Sequence, residues 1–102
     1  MPDPIFYSAI KDVTEPGGMG RDGKGCVVVF ATNNNGVSLK GPDRYPEVVA
    51  VGSTDYHDLR IGYSAYGPEL DIMAPSSPKP FTEEIATGQT IWTTDITGPS
   101  GW

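Results

Sequence analysis

Cysteine and histidine are scarce in this sequence, with one of each among 102 residues. The lone cysteine, Cys26, excludes an internal disulfide framework, and its apolar neighbours favour a buried side chain over a reactive thiol. The lone histidine, His57, argues against a histidine-rich zinc site. Apolar runs are also short, since none approaches the roughly 18 consecutive residues of a membrane-spanning helix. We therefore expect no disulfide, no zinc centre and no membrane partner.

Basic residues are few as well. Seven Lys and Arg residues stand against 13 Asp and Glu residues, which gives a net charge of −6. Because such a chain would be repelled by a phosphate backbone, we expect no nucleic-acid partner. Hydrophobic residues make up 37% of the chain and charged residues 20%, which is typical of a globular domain with one modest core.

Local patterns predict one helix followed by several strands. Asp3 and Pro4 have the form of a helix cap followed by proline at the first helical position. Apolar residues then recur at helical spacing as far as Val13, and a Pro-Gly-Gly sequence at 16–18 ends the helix. Apolar, β-branched and aromatic runs predict strands at 26–31, 48–52, 70–74 and 90–95.

The runs at 26–31 and 48–52 are continuously apolar rather than alternating. Such strands are typical of a parallel sheet covered by helices on both faces, so we expect the strand at 26–31 to be buried on both faces. Only one helix is visible in the sequence. The covering elements must therefore lie elsewhere, and we interpret the chain as a section of a larger α/β domain.

Two patterns with possible chemistry are better explained by ordinary structure. The glycines between Gly18 and Gly25 match the letters of a phosphate-binding loop, but they follow a helix and precede a strand. A phosphate would meet the negative end of the helix dipole there, so we predict a plain connection.

His57 has Asp55, Ser53 and Ser64 nearby in the sequence, but neighbours in one loop seldom converge into a catalytic triad. We predict an exposed surface histidine.

The sequence F-A-T-N-N-N-G at 30–36 follows directly on a buried strand. In parallel α/β sheets, ligands bind beyond the carboxyl ends of the strands, and this is such an end. An asparagine amide is a neutral donor that can point at negative charge developing on an oxygen. Turn chemistry alone also favours asparagine and glycine here, so the residue types leave both interpretations open.

The wider sequence around this turn resembles the subtilisin-like serine proteases, the subtilases of peptidase family S8. Three blocks carry the resemblance, in the family's order and close to its spacing: G-K-G-C-V-V-V-F-A-T-N-N-N-G, R-Y-P-E-V-V-A-V-G-S-T-D and Y-S-A-Y-G-P-E-L-D-I-M-A-P-S. The resemblance implies a partial three-layer α/β sandwich with a mainly parallel sheet. It also implies that residues 1–102 are a central-to-C-terminal fragment of a single catalytic domain.

The resemblance places the family's oxyanion-hole asparagine, a catalytic residue, on Asn34. It also implies that Ala31, Thr32 and Asn33 line the substrate pocket, together with a residue near Lys40. Asn33 departs from the family, which usually has glycine there. Asparagine would be well tolerated if that position needs a positive φ, and would narrow the pocket if the substrate backbone must approach closely.

The family's catalytic Asp and His lie before this section and its nucleophilic Ser lies after it, and none of these three blocks occurs in the chain. The resemblance thus implies a parent serine endopeptidase and a fragment that is inactive alone. Its expected partners are a polypeptide substrate and the remainder of the catalytic domain, and a secreted or extracellular location is suggested. An inactive subtilase-like binding domain and, with less support, a nucleotide-binding α/β domain remain alternatives.

Two finer expectations also come from the resemblance. Some subtilases hold a weak cation with the aspartate that aligns with Asp71, but we favour a structural role for Asp71 at the start of a strand. We therefore expect no metal and no cofactor. The bond between Gly41 and Pro42 aligns with a peptide that subtilases often hold in the cis form, so a cis bond is predicted here.

Overall fold

The computed structural model describes residues 3–77 and residue 91. Four regular elements and one short 3₁₀ helix follow one another along this part of the chain. They are helix α1 (Pro4–Thr14), strand β1 (Val28–Ala31), the 3₁₀ helix Pro42–Arg44, strand β2 (Val48–Thr54) and strand β3 (Ile72–Pro75). The strand predicted at 90–95 lies outside the described residues, apart from Ile91.

Helix α1 begins as the sequence predicts. The Asp3 carboxylate accepts hydrogen bonds from the backbone N–H groups of Ile5 (2.9 Å) and Phe6 (3.4 Å), which have no partner within the helix. Its inward side contributes Ile10 to a core cluster. None of the helices in the part of the chain that the structure describes is long and apolar enough to cross a membrane.

The core joins α1 to one face of the sheet. Buried Ile10 of α1 packs with Tyr45 and with Val48 of β2. Val28 and Phe30, alternate residues of β1, pack against the same cluster. Because side chains alternate between the two faces of a strand, these contacts show which face of β1 the helix covers.

The glycine-rich connection between α1 and β1 folds back against the end of the helix. The backbone N–H of Cys26 donates to the carbonyl of Val13 at 2.7 Å. Gly25 has a φ of 78°, and a side chain there would collide with the carbonyl oxygen of Thr14. The order helix, glycines, strand is confirmed, which is the reverse of the order in a phosphate-binding loop.

The three described strands form one parallel sheet in the order β1-β2-β3. Val28 of β1 pairs with Val48 of β2, and Val51 of β2 pairs with Ile72 of β3. The carboxyl ends of all three strands therefore meet at one edge of the sheet. The predicted partial α/β architecture with a mainly parallel sheet is confirmed.

The sheet face opposite α1 is open in the described part of the chain. Val29 of β1 is 58% exposed, Ile72 of β3 is 54% exposed, and Val27 just before β1 is 78% exposed. The expectation that the strand at 26–31 is buried on both faces is therefore wrong for these residues, because α1 covers one face and no described element covers the other. Regular pairing of β1 also begins two residues later than predicted, at Val28.

The prediction of a cis bond before Pro42 is wrong. No peptide bond among the described residues is cis. Pro42 instead takes the first position of the 3₁₀ helix, where the fixed φ of proline suits a helical start.

Candidate functional site

The candidate site is the turn that follows β1 at the carboxyl edge of the sheet. Beyond Ala31 the chain keeps one further sheet contact, since the backbone N–H of Thr32 donates to the carbonyl of Val51 at 2.9 Å. Thr32 is buried, whereas the next three residues, all asparagines, are exposed. The polar turn is thus presented at the edge where parallel sheets bind ligands.

The structure gives the three asparagines different surroundings. The Asn35 side-chain oxygen accepts from the backbone N–H of Val37 at 3.3 Å, closing a local turn. The Asn33 carbonyl accepts from the backbone N–H of Ala65 at 2.9 Å. The Asn34 side chain is exposed and has no hydrogen-bond partner among residues 3–77. Within this part of the chain its amide is therefore free to donate to an external acceptor, as is the side-chain amide of Asn33, whose bond with Ala65 uses the backbone carbonyl.

Gly36 fixes the far side of this turn. Its φ is 65°, and its backbone N–H donates to the carbonyl of Tyr63 at 2.7 Å. A side chain at Gly36 would collide with the carbonyl oxygen of Gly62. Glycine is therefore needed for both the backbone conformation and the close approach. Asn33, in contrast, is not among the described residues with positive φ, so its replacement of the family's glycine involves no left-handed backbone.

The buried hydroxyl of Ser64 stabilises the start of this turn. Ser64 is 1% exposed, and its Oγ accepts from the backbone N–H of Ser53 at 3.0 Å. The same Oγ lies 3.4 Å from the Thr32 hydroxyl. The Arg60 guanidinium donates to the Ser64 carbonyl at 2.6 Å. These contacts hold the loop after β2 against the end of β1. No local sequence pattern indicates this role for Ser64.

A small pocket opens beside the turn, with a volume of about 150 Å³. We call it the strand-end pocket. Its lining residues are Phe30, Ala31, Asn33, Pro42 and Asp43. Two of the predicted substrate-pocket residues, Ala31 and Asn33, thus line one cavity, while Thr32 is buried and is not among its lining residues. Pro42 and Asp43, two and three residues after Lys40, also line the pocket.

Asp43 is a site residue that the sequence patterns do not single out, although it is 5% exposed and borders the strand-end pocket. Its Oδ1 accepts from the backbone N–H of Gly41 at 2.9 Å. Its Oδ2 is buried without a hydrogen-bond partner among the described residues. The sequence around Asp43 shows only an aspartate directly after a proline at the start of a helical turn. Because that pattern is usual for an exposed capping residue, it does not indicate a buried pocket residue.

His57 belongs to a separate surface turn. Its side chain is 60% exposed, and its Nδ1 lies 3.9 Å from the Asp55 carboxylate. Hydrogen bonds from the backbone N–H groups of Leu59 and His57 hold the pKa of Asp55 below its ordinary value. The Ser64 hydroxyl is engaged with Ser53 and Thr32 instead of His57, so the structure does not assemble these sequence neighbours into a catalytic triad.

Asp71 lies at the start of β3. Its carboxylate accepts from the backbone N–H of Ala50 at 2.8 Å, and its own N–H donates to the Ala50 carbonyl at 3.1 Å. Both bonds fasten β3 to β2. Among the described residues, no group of three or more His, Cys, Asp or Glu side chains is placed to hold a metal ion.

Comparison with known proteins adds family information. A family model described as Peptidase_S8, subtilase family, matches residues 3–100. Subtilisin BL of Lederbergia lenta is 45% identical over 53 residues, covering 51% of this chain and 20% of the relative. An alkaline protease of Shouchella clausii shows the same identity and length of match, covering 14% of the relative.

A longer match links the chain to a protein named calcium-dependent protease, from Trichormus variabilis. The two are 34% identical over 85 residues, which covers 81% of this chain and 12% of the relative. The chain thus spans between 12% and 20% of the length of these three relatives.

Proposed function

The chain belongs to the subtilase family, and from this premise we propose that residues 1–102 form one section of the catalytic domain of a serine endopeptidase. The section supplies an oxyanion donor and part of the substrate pocket. The remainder of the domain supplies the nucleophilic serine, the histidine and the aspartate. The substrate is a polypeptide.

The observation that carries the proposal is the free amide of Asn34. Attack of a serine on a peptide carbonyl places negative charge on the carbonyl oxygen in the transition state. A donor fixed beforehand at that position stabilises the charge without any reorganisation during the reaction. Asn34 fits this role because its turn is held on both sides, through Asn33 and Gly36, while its own side chain has no partner among residues 3–77.

Substrate binding in this proposal uses the cavity next to the same turn. Ala31 and Asn33 line the strand-end pocket, and Asn33 directly precedes Asn34. A substrate side chain held there would lie close to the amide that meets the reacting carbonyl. Thr32 contributes indirectly, through the 3.4 Å contact between its hydroxyl and the buried Ser64 hydroxyl.

The test is the replacement of Asn34 by Ala in the intact protein that carries this chain. Because the oxyanion exists only in the transition state, kcat should fall by about 10²–10³-fold while KM changes little. This magnitude is the one known for the corresponding asparagine of subtilisin. Asn35→Ala is the matched control, since Asn35 closes its own turn and should affect stability more than kcat.

Full kcat in a folded Asn34→Ala variant would show that Asn34 is a turn residue only. A fluorophosphonate probe adds a second readout, because it labels activated serines. The intact protein should be labelled at a serine outside these 102 residues, and the isolated chain should not be labelled. An intact protein that binds peptides without being labelled would instead identify an inactive subtilase-like binding domain.

A further inference from the structure

Among the described residues that line the strand-end pocket, Asp43 alone is charged. Its Oδ1 is held by the backbone N–H of Gly41, which fixes the carboxylate within its own turn. Its Oδ2 is shielded from solvent and has no hydrogen-bond partner among the described residues. Native proteins satisfy nearly all buried polar atoms, so a buried carboxylate oxygen without a partner points to a group that is absent from this structure.

A carboxylate in this position needs a positive partner more than a neutral one. Removing a carboxylate from water is costly unless an opposite charge lies near. Within residues 3–77 no Lys, Arg or His side chain forms an ion pair with Asp43. The neighbouring Arg44 is already engaged, since its guanidinium lies 2.9 Å from the Glu69 carboxylate.

The dimensions and walls of the strand-end pocket suit a single side chain. A cavity of about 150 Å³ can hold a group the size of benzene, and sites for whole small-molecule ligands are usually larger. Phe30, Ala31 and Pro42 provide apolar walls. Lysine and arginine combine an apolar stem with a charged end, so the stem would pack on these walls while the charge approaches Asp43.

We propose that the strand-end pocket recognises a cationic side chain, lysine or arginine, of the substrate residue whose carbonyl is attacked, with Asp43 as its counter-ion. This inference rests on the proposed peptidase function, because the pocket adjoins Asn34 through Asn33. Asp43 lines the pocket but is 5% exposed, so its carboxylate lies where the effective dielectric constant is lower than in water and the attraction to a cation is stronger.

The experiment compares four peptides that differ only at the residue before the scissile bond. Arginine is paired with citrulline, which has its shape without its charge, and lysine is paired with norleucine, which lacks the ammonium group. For the intact native protein, kcat/KM should be about 10–100-fold higher for each charged member of a pair, as expected for a hydrogen-bonded charge. Equal values within both pairs would overturn the inference, even if cleavage itself is efficient.

Two variants locate the source of this selectivity. Asp43→Asn keeps the oxygen that accepts from Gly41 and removes the charge, so the preference for the charged residues should disappear. Glu47→Gln is the matched control, because Glu47 also has a buried carboxylate oxygen without a partner among the described residues but does not line the pocket. The Glu47→Gln variant should keep the preference for arginine and lysine over their uncharged counterparts. A preference that survives in a folded Asp43→Asn variant contradicts the inference.

The failure of the peptidase proposal can be distinguished from the failure of this inference. If the intact protein cleaves none of the four peptides, the peptidase proposal fails, and binding alone then tests the pocket. Nα-acetyl-arginine amide and Nα-acetyl-citrulline amide would be compared by ligand-observed NMR. Stronger binding of the arginine compound, lost in Asp43→Asn, supports the cationic pocket, whereas equal binding refutes it.

Discussion

Replacing Asp71 by Ala should weaken the attachment of β3 to β2. The Asp71 carboxylate accepts from the backbone N–H of Ala50 at 2.8 Å, and Ala50 is fully buried. After the substitution this N–H has no acceptor in a position that water reaches poorly. The second bond, from the Asp71 N–H to the Ala50 carbonyl, involves backbone atoms only and can persist.

The size of the effect follows from the kind of hydrogen bond that is lost. A hydrogen bond to a charged group contributes about 1.5–3 kcal/mol, and a buried donor left without a partner costs about 1–3 kcal/mol. These are two descriptions of the same loss, so they are not added. We expect the free energy of unfolding to fall by about 1.5–3 kcal/mol in Asp71→Ala. Asp71→Asn retains a neutral acceptor and should lose about half as much.

Urea denaturation of the intact protein measures this difference, and amide hydrogen exchange localises it. Protection of the Ala50 N–H should fall in Asp71→Ala and should be largely retained in Asp71→Asn. If Asp71→Ala leaves both the free energy of unfolding and the Ala50 protection unchanged, the hydrogen bond does not hold β3. If added calcium chloride stabilises the native protein but not Asp71→Asn, Asp71 acts as a cation ligand rather than as a hydrogen-bond acceptor that joins β3 to β2.

Two further predictions concern turns, one that borders the site and one in the separate surface turn of His57. Gly36→Ala should lower the free energy of unfolding by more than about 1 kcal/mol, because an L residue at a φ of 65° is strained and its Cβ would meet the Gly62 carbonyl. Gly62→Ala is the control for the denaturation experiment and should have a milder effect, since nothing lies near the Cβ position there. Equal effects of the two substitutions would contradict this account. An NMR titration should place the pKa of Asp55 below 3.8, chiefly because the Leu59 N–H donates to its carboxylate. Because ionised Asp55 is favoured in the folded state, it contributes to the stability of the protein above pH 3.8, and this contribution is lost as pH falls through the lower folded-state pKa. A measured Asp55 pKa at or above 3.8 would refute this prediction.

The sequence by itself determined the local elements and the family. Helix α1 starts after Asp3 and ends before the Pro-Gly-Gly sequence, because capping and chain-breaking depend on residues a few positions apart. Continuous apolar runs predicted β1, β2 and their parallel pairing. This prediction was possible because a strand in a covered parallel sheet is apolar along its whole length, and that pattern is visible in each strand separately. The three sequence blocks were sufficient to identify the subtilase family, which the match over residues 3–100 shows.

Only the tertiary structure decided how the candidate site is arranged. The three asparagines are chemically identical in the sequence, but the structure gives them different contacts: the Asn35 side-chain oxygen accepts from Val37, the Asn33 backbone carbonyl accepts from Ala65, and Asn34 makes neither kind of bond within residues 3–77. The buried position of Asp43, like the trans bond before Pro42, was not evident from the sequence. Hydrogen-bond partners and burial at this site depend on residues far along the chain, as in the Asn33–Ala65 contact, and local sequence patterns carry no information about which distant groups the fold brings near.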